Sequence, residues 1–190
     1  LTARPNPNVY DSEILAALGI YPCPGLTVAH IRAQMWQESQ GDPWAASSAA
    51  CLGLMQIKPS TARDDILPGR GVEDVQEWTP FDPGESLRCG VWYMRWLLES
   101  YTDRLPGFTE RWRFSLASYN AGRSRVNRAL IRARKEMSPE YSVYRRWLAA
   151  NKPPGPWQLW ENVAPLVQAR TGSEPIVYVE RIAHYLREFQ

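Results

Sequence analysis

The 190-residue chain has little of what marks several common protein classes. Its three cysteines, Cys23, Cys51 and Cys89, are far apart and form no C-x-x-C pair, and any pairing leaves one over. Neither a disulfide framework nor a zinc site follows, and the simplest reading is three small apolar residues. The two histidines, His30 and His184, stand at no ligand spacing from a cysteine or carboxylate cluster, so no metal and no cofactor are expected. No apolar run is long enough to span a bilayer, and the first residues, with Pro5 and Pro7, lack the charged start and apolar stretch of a signal peptide. Because the chain begins at Leu1, that lack carries no information on export. A net charge of +2 is too slight to indicate nucleic acid, though it suits an anionic partner. Alternating strand-like runs are scarce, and there is no internal repeat or low-complexity segment.

What remains is a chain with 44% hydrophobic residues whose apolar positions recur at helical spacing, the pattern of a single all-α domain. Asp11 or Ser12 is expected to cap a short helix that stops at Gly19, and Thr27 to cap a helix running to about Ser39. Residues 40–59 are small and loop-like. Asp82, Pro83 and Glu85 read as a capping-box start for a long helix with Leu87, Val91, Met94, Leu98 and Tyr101 on one stripe. Thr109 is expected to open a helix that closes at Gly122, and Ser124 a basic one with a solvated face carrying Arg125, Arg128, Arg132, Arg134 and Lys135. Further helices are expected from Ser138, near Trp157 and from Glu174, with a stiff turn over 151–156. Nine tryptophans and nine tyrosines exceed what a core of this size needs, and planar rings are also the surfaces on which sugar faces stack.

One acid breaks the apolar pattern. Val28, Ile31, Met35 and Glu38 fall at steps of three, four and three, so Glu38 shares a stripe with core residues at the C-terminal end of its helix. Burial and the negative end of the helix dipole both disfavour its charge and are expected to raise its pKa, as a general acid requires. Periodicity alone does not separate that reading from a surface residue at a frayed helix end.

The residues that follow do more. Glu38-Ser39 leads into Pro43-Trp44-Ala45-Ala46-Ser47, then Gly53-Leu54-Met55-Gln56, then Pro59-Ser60-Thr61-Ala62. This series resembles, without a gap, the signature of the soluble lytic transglycosylases, which are related to goose-type lysozymes. Ser118-Tyr119-Asn120-Ala121-Gly122 and Tyr178-Val179-Glu180-Arg181 resemble two later motifs of the family, and 82–101 its central helix. The resemblance covers roughly 26–186. It departs at Ala50 and Cys51, where the family usually has Gly and Ala, at Gly41, where it has an aromatic, and over 137–173, where the connection is longer.

The resemblance implies a lysozyme-like helical domain with an active-site cleft: an arm and short helix over 1–25, a core over 26–136, a divergent insertion over 137–173 and a C-terminal helix over 174–190. It implies Glu38 as the sole catalytic acid and base. Ser39 would orient it, Met55 and Gln56 would line the cleft, Tyr119 and Asn120 would hold sugar hydroxyls and acetamido groups, and Tyr178 would help place the proton. Gly53 and Gly122 read as structural, needed for positive φ or tight packing. The implied partner is the glycan of peptidoglycan, in the periplasm or cell envelope or carried to the wall by a phage particle or secretion machine. Ordinary glycosidases use two carboxylates; one acid implies internal closure to a 1,6-anhydromuramic acid end. Two alternatives stand beside this. One is hydrolysis, as in goose-type lysozymes, with Asp42, Asp64 or Asp65 holding a water; the other is a noncatalytic wall-binding module.

Overall fold

The computed structural model describes residues 6–72, 78–136 and 159–189. Among these the chain is helical, with isolated β-bridges but no strand: α1 (Asp11–Ile20), α2 (Val28–Ser39), α3, α4 (Pro83–Ser100), α5 (Gly107–Ala121), α6 (Arg123–Glu136), α7 (Trp160–Thr171) and α8 (Glu174–Glu188). The third element, α3, is composite: Pro59–Thr61, a π-turn over Ala62–Ile66 and Leu67–Gly69. The expected helix from Ser138 and the turn over 151–156 lie outside the described residues. The chain forms two compact units, 1–96 with 181–190, and 97–180.

In the first unit α1 packs on α2. Thr27 caps α2 as expected, and His30 closes the cap: its Nδ1 accepts from the Thr27 backbone N–H at 3.3 Å and lies 2.7 Å from the Thr27 hydroxyl. Burial lowers the His30 pKa, which keeps the ring in the neutral form that accepts. Asp11 does not cap α1. It is the first helical residue, and its carboxylate takes a forked pair of bonds from Arg32 Nε and Nη2, while Arg32 Nη1 donates to the Phe189 carbonyl at 3.1 Å. Gly19 does not end the helix either, which continues to Ile20.

The start of α4 is only half a capping box. Asp82 Oδ1 accepts from the Glu85 N–H at 2.7 Å, with Pro83 in the first helical position, where its missing N–H costs nothing. The Glu85 side chain turns elsewhere. Its two oxygens take bonds from Arg70 Nη1 and Nη2, one of them also accepts from Arg88 Nε at 3.0 Å, and the Cys89 thiol donates to the other. Arg70 reaches further, with Nε on the Tyr21 hydroxyl at 3.0 Å. Burial alone would raise the Glu85 pKa, but the guanidinium bonds outweigh it and hold the carboxyl below its usual value. The expected apolar stripe of α4 is buried throughout, with Leu87, Val91, Met94 and Tyr101 fully so.

The second unit packs α5, α6 and α7 together. Its core holds Phe114, Leu116, Val126, Ala129, Val163 and Val167, with the Phe114 ring edge-on to Trp160 at 5.3 Å. The buried Tyr101 hydroxyl is satisfied by Ser118 at 2.8 Å. Helix α5 starts two residues before Thr109, behind Pro106, and ends at Gly122, whose φ is +89°. Arg128, Arg132, Arg134 and Lys135 are exposed, as a solvated basic face requires.

Replacing Glu85 with Gln leaves Arg70 buried without its counter-charge, so E85Q should lose about 3–5 kcal/mol of unfolding free energy in urea titrations at neutral pH. Because the folded pKa of Glu85 is depressed, its contribution is full above the ordinary carboxylate pKa and lost as pH falls towards the folded value. The gap between wild type and E85Q should therefore narrow in acid. His30 gives a second window: with its folded pKa lowered, stability should fall as pH drops below the ordinary imidazole value, and H30A should remove that slope.

Candidate active site

Helix α2 delivers Glu38 half-buried in its last turn and stops two residues later because Gln40 adopts a left-handed conformation, φ +55°, with its N–H on the Trp36 carbonyl. Ser39 is spent on that same helix end. Its hydroxyl donates to the Met35 carbonyl at 3.3 Å and accepts from the Gly41 N–H at 3.2 Å. The two residues flanking the exit from α2 thus fix the backbone that carries Glu38.

The loop that follows, 40–57, is held by backbone rather than by a core of its own. Asp42 Oδ1 accepts from the Trp44 N–H at 2.9 Å, and Ser47 accepts on its side chain from Cys51 N–H while its own N–H donates to the Cys51 carbonyl. Ala46 and Leu52 form one antiparallel bridge, Leu52 and Ile57 another, enclosing the tight turn 53–56. Ala50 stands at φ +58°, a conformation that costs an alanine about 1 kcal/mol and suits glycine.

Gly53 is the point where these strands of chain meet. Its φ is +72°, its N–H donates to the Ala45 carbonyl at 2.9 Å, and a Cβ there would lie 1.9 Å from the Pro80 carbonyl oxygen and 2.9 Å from Ser86 Oγ. Ser86 Oγ in turn accepts from the Met55 N–H at 3.2 Å. Gln56, also at positive φ, sends its Nε2 to the carbonyls of Ala45 and Gly53, each at 3.0 Å. Met55 is fully buried, so close to Gly90 that a Cβ on the glycine would come within 2.6 Å of the Met55 Cγ. Met55 and Gln56, expected to line a cleft, are seen here as the packed floor and the tie of the loop.

Glu38, Ser39, Met55 and Gln56 belong to the first unit; Tyr119, Asn120 and Tyr178 belong to the second. There Tyr119 is half-buried at the end of α5, Asn120 Nδ2 lies 3.4 Å from Glu174 Oε1, and Tyr178, one turn along α8 from Glu174, is buried. Sequence reasoning missed Ser86 and Pro80, whose part is to accept a backbone bond and to press a carbonyl on Gly53. The only signal in the sequence was a serine next to Leu87 at the start of the apolar stripe; its burial, 2% exposed, shows in the structure. Among the described residues no cluster of His, Cys, Asp and Glu could hold a metal ion, and no helix is long and apolar enough to cross a membrane.

Residues 24–141 match the profile of the transglycosylase SLT domain, and the chain belongs to that family. It is 30% identical over 158 residues to the membrane-bound lytic murein transglycosylase F of Alcanivorax borkumensis, a match that covers 82% of this chain and 30% of that protein. It is 32% identical over 107 residues to the membrane-bound lytic murein transglycosylase C of Haemophilus influenzae, covering 55% of this chain and 29% of the relative. The chain thus spans about a third of the length of these curated relatives. Two solved structures share the all-α fold at 19% identity, each over 96% of this chain and 24% of the other: the 70 kDa soluble lytic transglycosylase of Escherichia coli, TM-score 0.64, and an inactive glutamate-to-glutamine mutant of the lytic transglycosylase Slt of Pseudomonas aeruginosa, TM-score 0.67.

Q56A removes the two amide bonds that tie Ala45 to Gly53 and should cost about 1 kcal/mol. Native-state hydrogen exchange should speed at the Gly53 and Ile57 amides while core amides of α4 keep their protection; uniform loss of protection would mean that Gln56 supports the whole unit instead of the loop.

Proposed function

We propose that the chain is a peptidoglycan lytic transglycosylase in which Glu38 acts first as acid and then as base. The observation that carries the reading is the family match over 24–141, with Glu38 standing half-buried at the start of its signature and followed by a loop tied at Gly53. In the reaction Glu38 gives its proton to the oxygen bridging C1 of N-acetylmuramic acid and N-acetylglucosamine, and that bond breaks with its electron pair going to the leaving sugar. The muramyl acetamido group stabilises the cation left at C1. The Glu38 carboxylate then takes the proton of the sugar's own C6 hydroxyl as that oxygen closes on C1. No water is consumed, and the product carries a 1,6-anhydro end.

Ser39 serves by fixing the end of α2, Met55 and Gln56 by shaping the wall beside it, Tyr119 and Asn120 by engaging the sugars, and Tyr178 by helping to place the proton. Two of the three carboxylates nearest in sequence have local partners, which favours a one-carboxylate reaction over a hydrolytic one. Exposed Asp42 binds the Trp44 N–H, and Asp64, exposed on α3, pairs with Arg63 at 2.7 Å. The names of the relatives, murein transglycosylases described as membrane-bound, support action at the cell wall and a place in the envelope. The inactivating glutamate-to-glutamine change named for the Pseudomonas aeruginosa neighbour accords with one indispensable glutamate.

E38Q keeps the shape of the side chain but cannot shuttle a proton. It should leave folding and wall binding unchanged and reduce turnover of purified sacculi by about 10²–10⁴-fold. Mass spectrometry of the muropeptides released by the wild type should show 1,6-anhydro ends; reducing ends in their place would establish hydrolysis, and lysis by E38Q equal to wild type would remove Glu38 from the chemistry.

A further inference from the structure

Trp44 is the most exposed of the large apolar side chains described, at 71%, six residues beyond Glu38 in the loop that follows α2. A planar indole left open in this way offers a whole ring face to a ligand. One face is already used: the ring stacks on Phe81 with centroids 5.4 Å apart and planes 28° from parallel. The opposite face is the one left to solvent.

The pair is held from below with unusual economy. Gly53 N–H binds the carbonyl of Ala45, next to Trp44, and the Pro80 carbonyl, next to Phe81, presses on the Gly53 Cα. Both arms of the aromatic pair therefore rest on the same residue. On the Trp44 side, Asp42 Oδ1 pins the Trp44 N–H at 2.9 Å, Pro43 fixes φ, and Gln56 Nε2 adds a second bond to the Ala45 carbonyl. These bonds restrain the backbone that carries the ring and Phe81 rests on the ring itself, so part of the entropy that binding would cost is already lost.

We propose that the exposed face of Trp44, backed by Phe81, is a stacking platform for a pyranose ring of the glycan strand, a subsite outside the residues assigned to the reaction. The occupant follows from the shape and chemistry of the surface. It is flat, apolar and one ring wide, which suits the C–H face of a sugar with its hydroxyls turned outward. The inference rests on the glycan-cleaving function proposed above, and it assigns Trp44 to binding, away from the bonds made and broken.

The test uses the 190-residue chain, isolated sacculi as probe, and W44A and W44F in both wild-type and E38Q backgrounds. Trp44 is exposed, so W44A should leave the melting temperature near that of wild type. In the E38Q background W44A should weaken co-sedimentation with sacculi by about 3- to 10-fold, and W44F should restore most of it. In the wild-type background W44A should raise KM by a similar factor with kcat little changed. Cleavage by the wild type together with equal binding by E38Q and E38Q/W44A would overturn the platform and leave the enzyme standing. Trp44-dependent binding without cleavage would keep the platform and overturn the reaction. Absence of both would overturn both.

Discussion

The described part of the first unit turns on a place where no side chain fits. Residue 53 sits with its Cα against the Pro80 carbonyl, its N–H on Ala45 and the Ser86 hydroxyl close by, so the loop after α2 and the chain entering α4 meet at the same backbone atoms. Any Cβ would push them apart. Contact at that range is made between peptide groups, and it is stiffer than packing between side chains, which relax by changing rotamer. The stiffness passes into the turn 53–56 and, through Gln56, back to Ala45, so that the loop after Glu38 behaves as an extension of the helical frame although it contains no regular element.

Charge does the corresponding work deeper in the unit. Arg70 and Glu85 are nearly buried, with side-chain exposures of 7% and 11%, and every stage of their pairing is satisfied by further groups: Arg88, Tyr21 and the Cys89 sulfur. A buried pair of this kind contributes less to net stability than its Coulomb attraction suggests, because both ions were dehydrated to make it. What it secures is register. Forked guanidinium-carboxylate geometry fits one placement of the end of α3 against the first turn of α4, and Gly69, whose hypothetical Cβ would strike the Trp92 ring at 2.1 Å, fits the same placement.

Much of this was legible in advance and some of it was not, for a consistent physical reason. Periodicity found the stripe of α4 because burial writes itself into spacing, whereas for half-buried Glu38 it left two readings open. Thr27 announced a cap because its partner lies three residues away. Asp11 and Glu85 misled because each has the right chemistry for a local cap and a stronger partner far off in sequence, Arg32 and Arg70 respectively; an ionic fork outbids a single backbone N–H. The starts of α5 and α6 moved by a residue or two because Pro106 and Gly122 set them in place of the hydroxyls of Thr109 and Ser124. In the candidate site, motif resemblance singled out Ser39, Met55 and Gln56 but said nothing of the bonds and packing that hold them. The partners of Ser39 and Gln56 are main-chain groups, which every residue possesses and no sequence displays.

The thiol of Cys89 has a fate that follows from where it lies. Burial pushes its pKa up to about 12, with Glu85 beside it adding to the effect of burial against the pull of Arg70. Thiol-disulfide exchange proceeds through the thiolate, which this shift makes scarce at neutral pH. The buried side chain therefore remains mostly S–H at neutral pH and enters exchange slowly. The chain keeps a cysteine in its interior without inheriting the redox sensitivity that cysteine ordinarily brings.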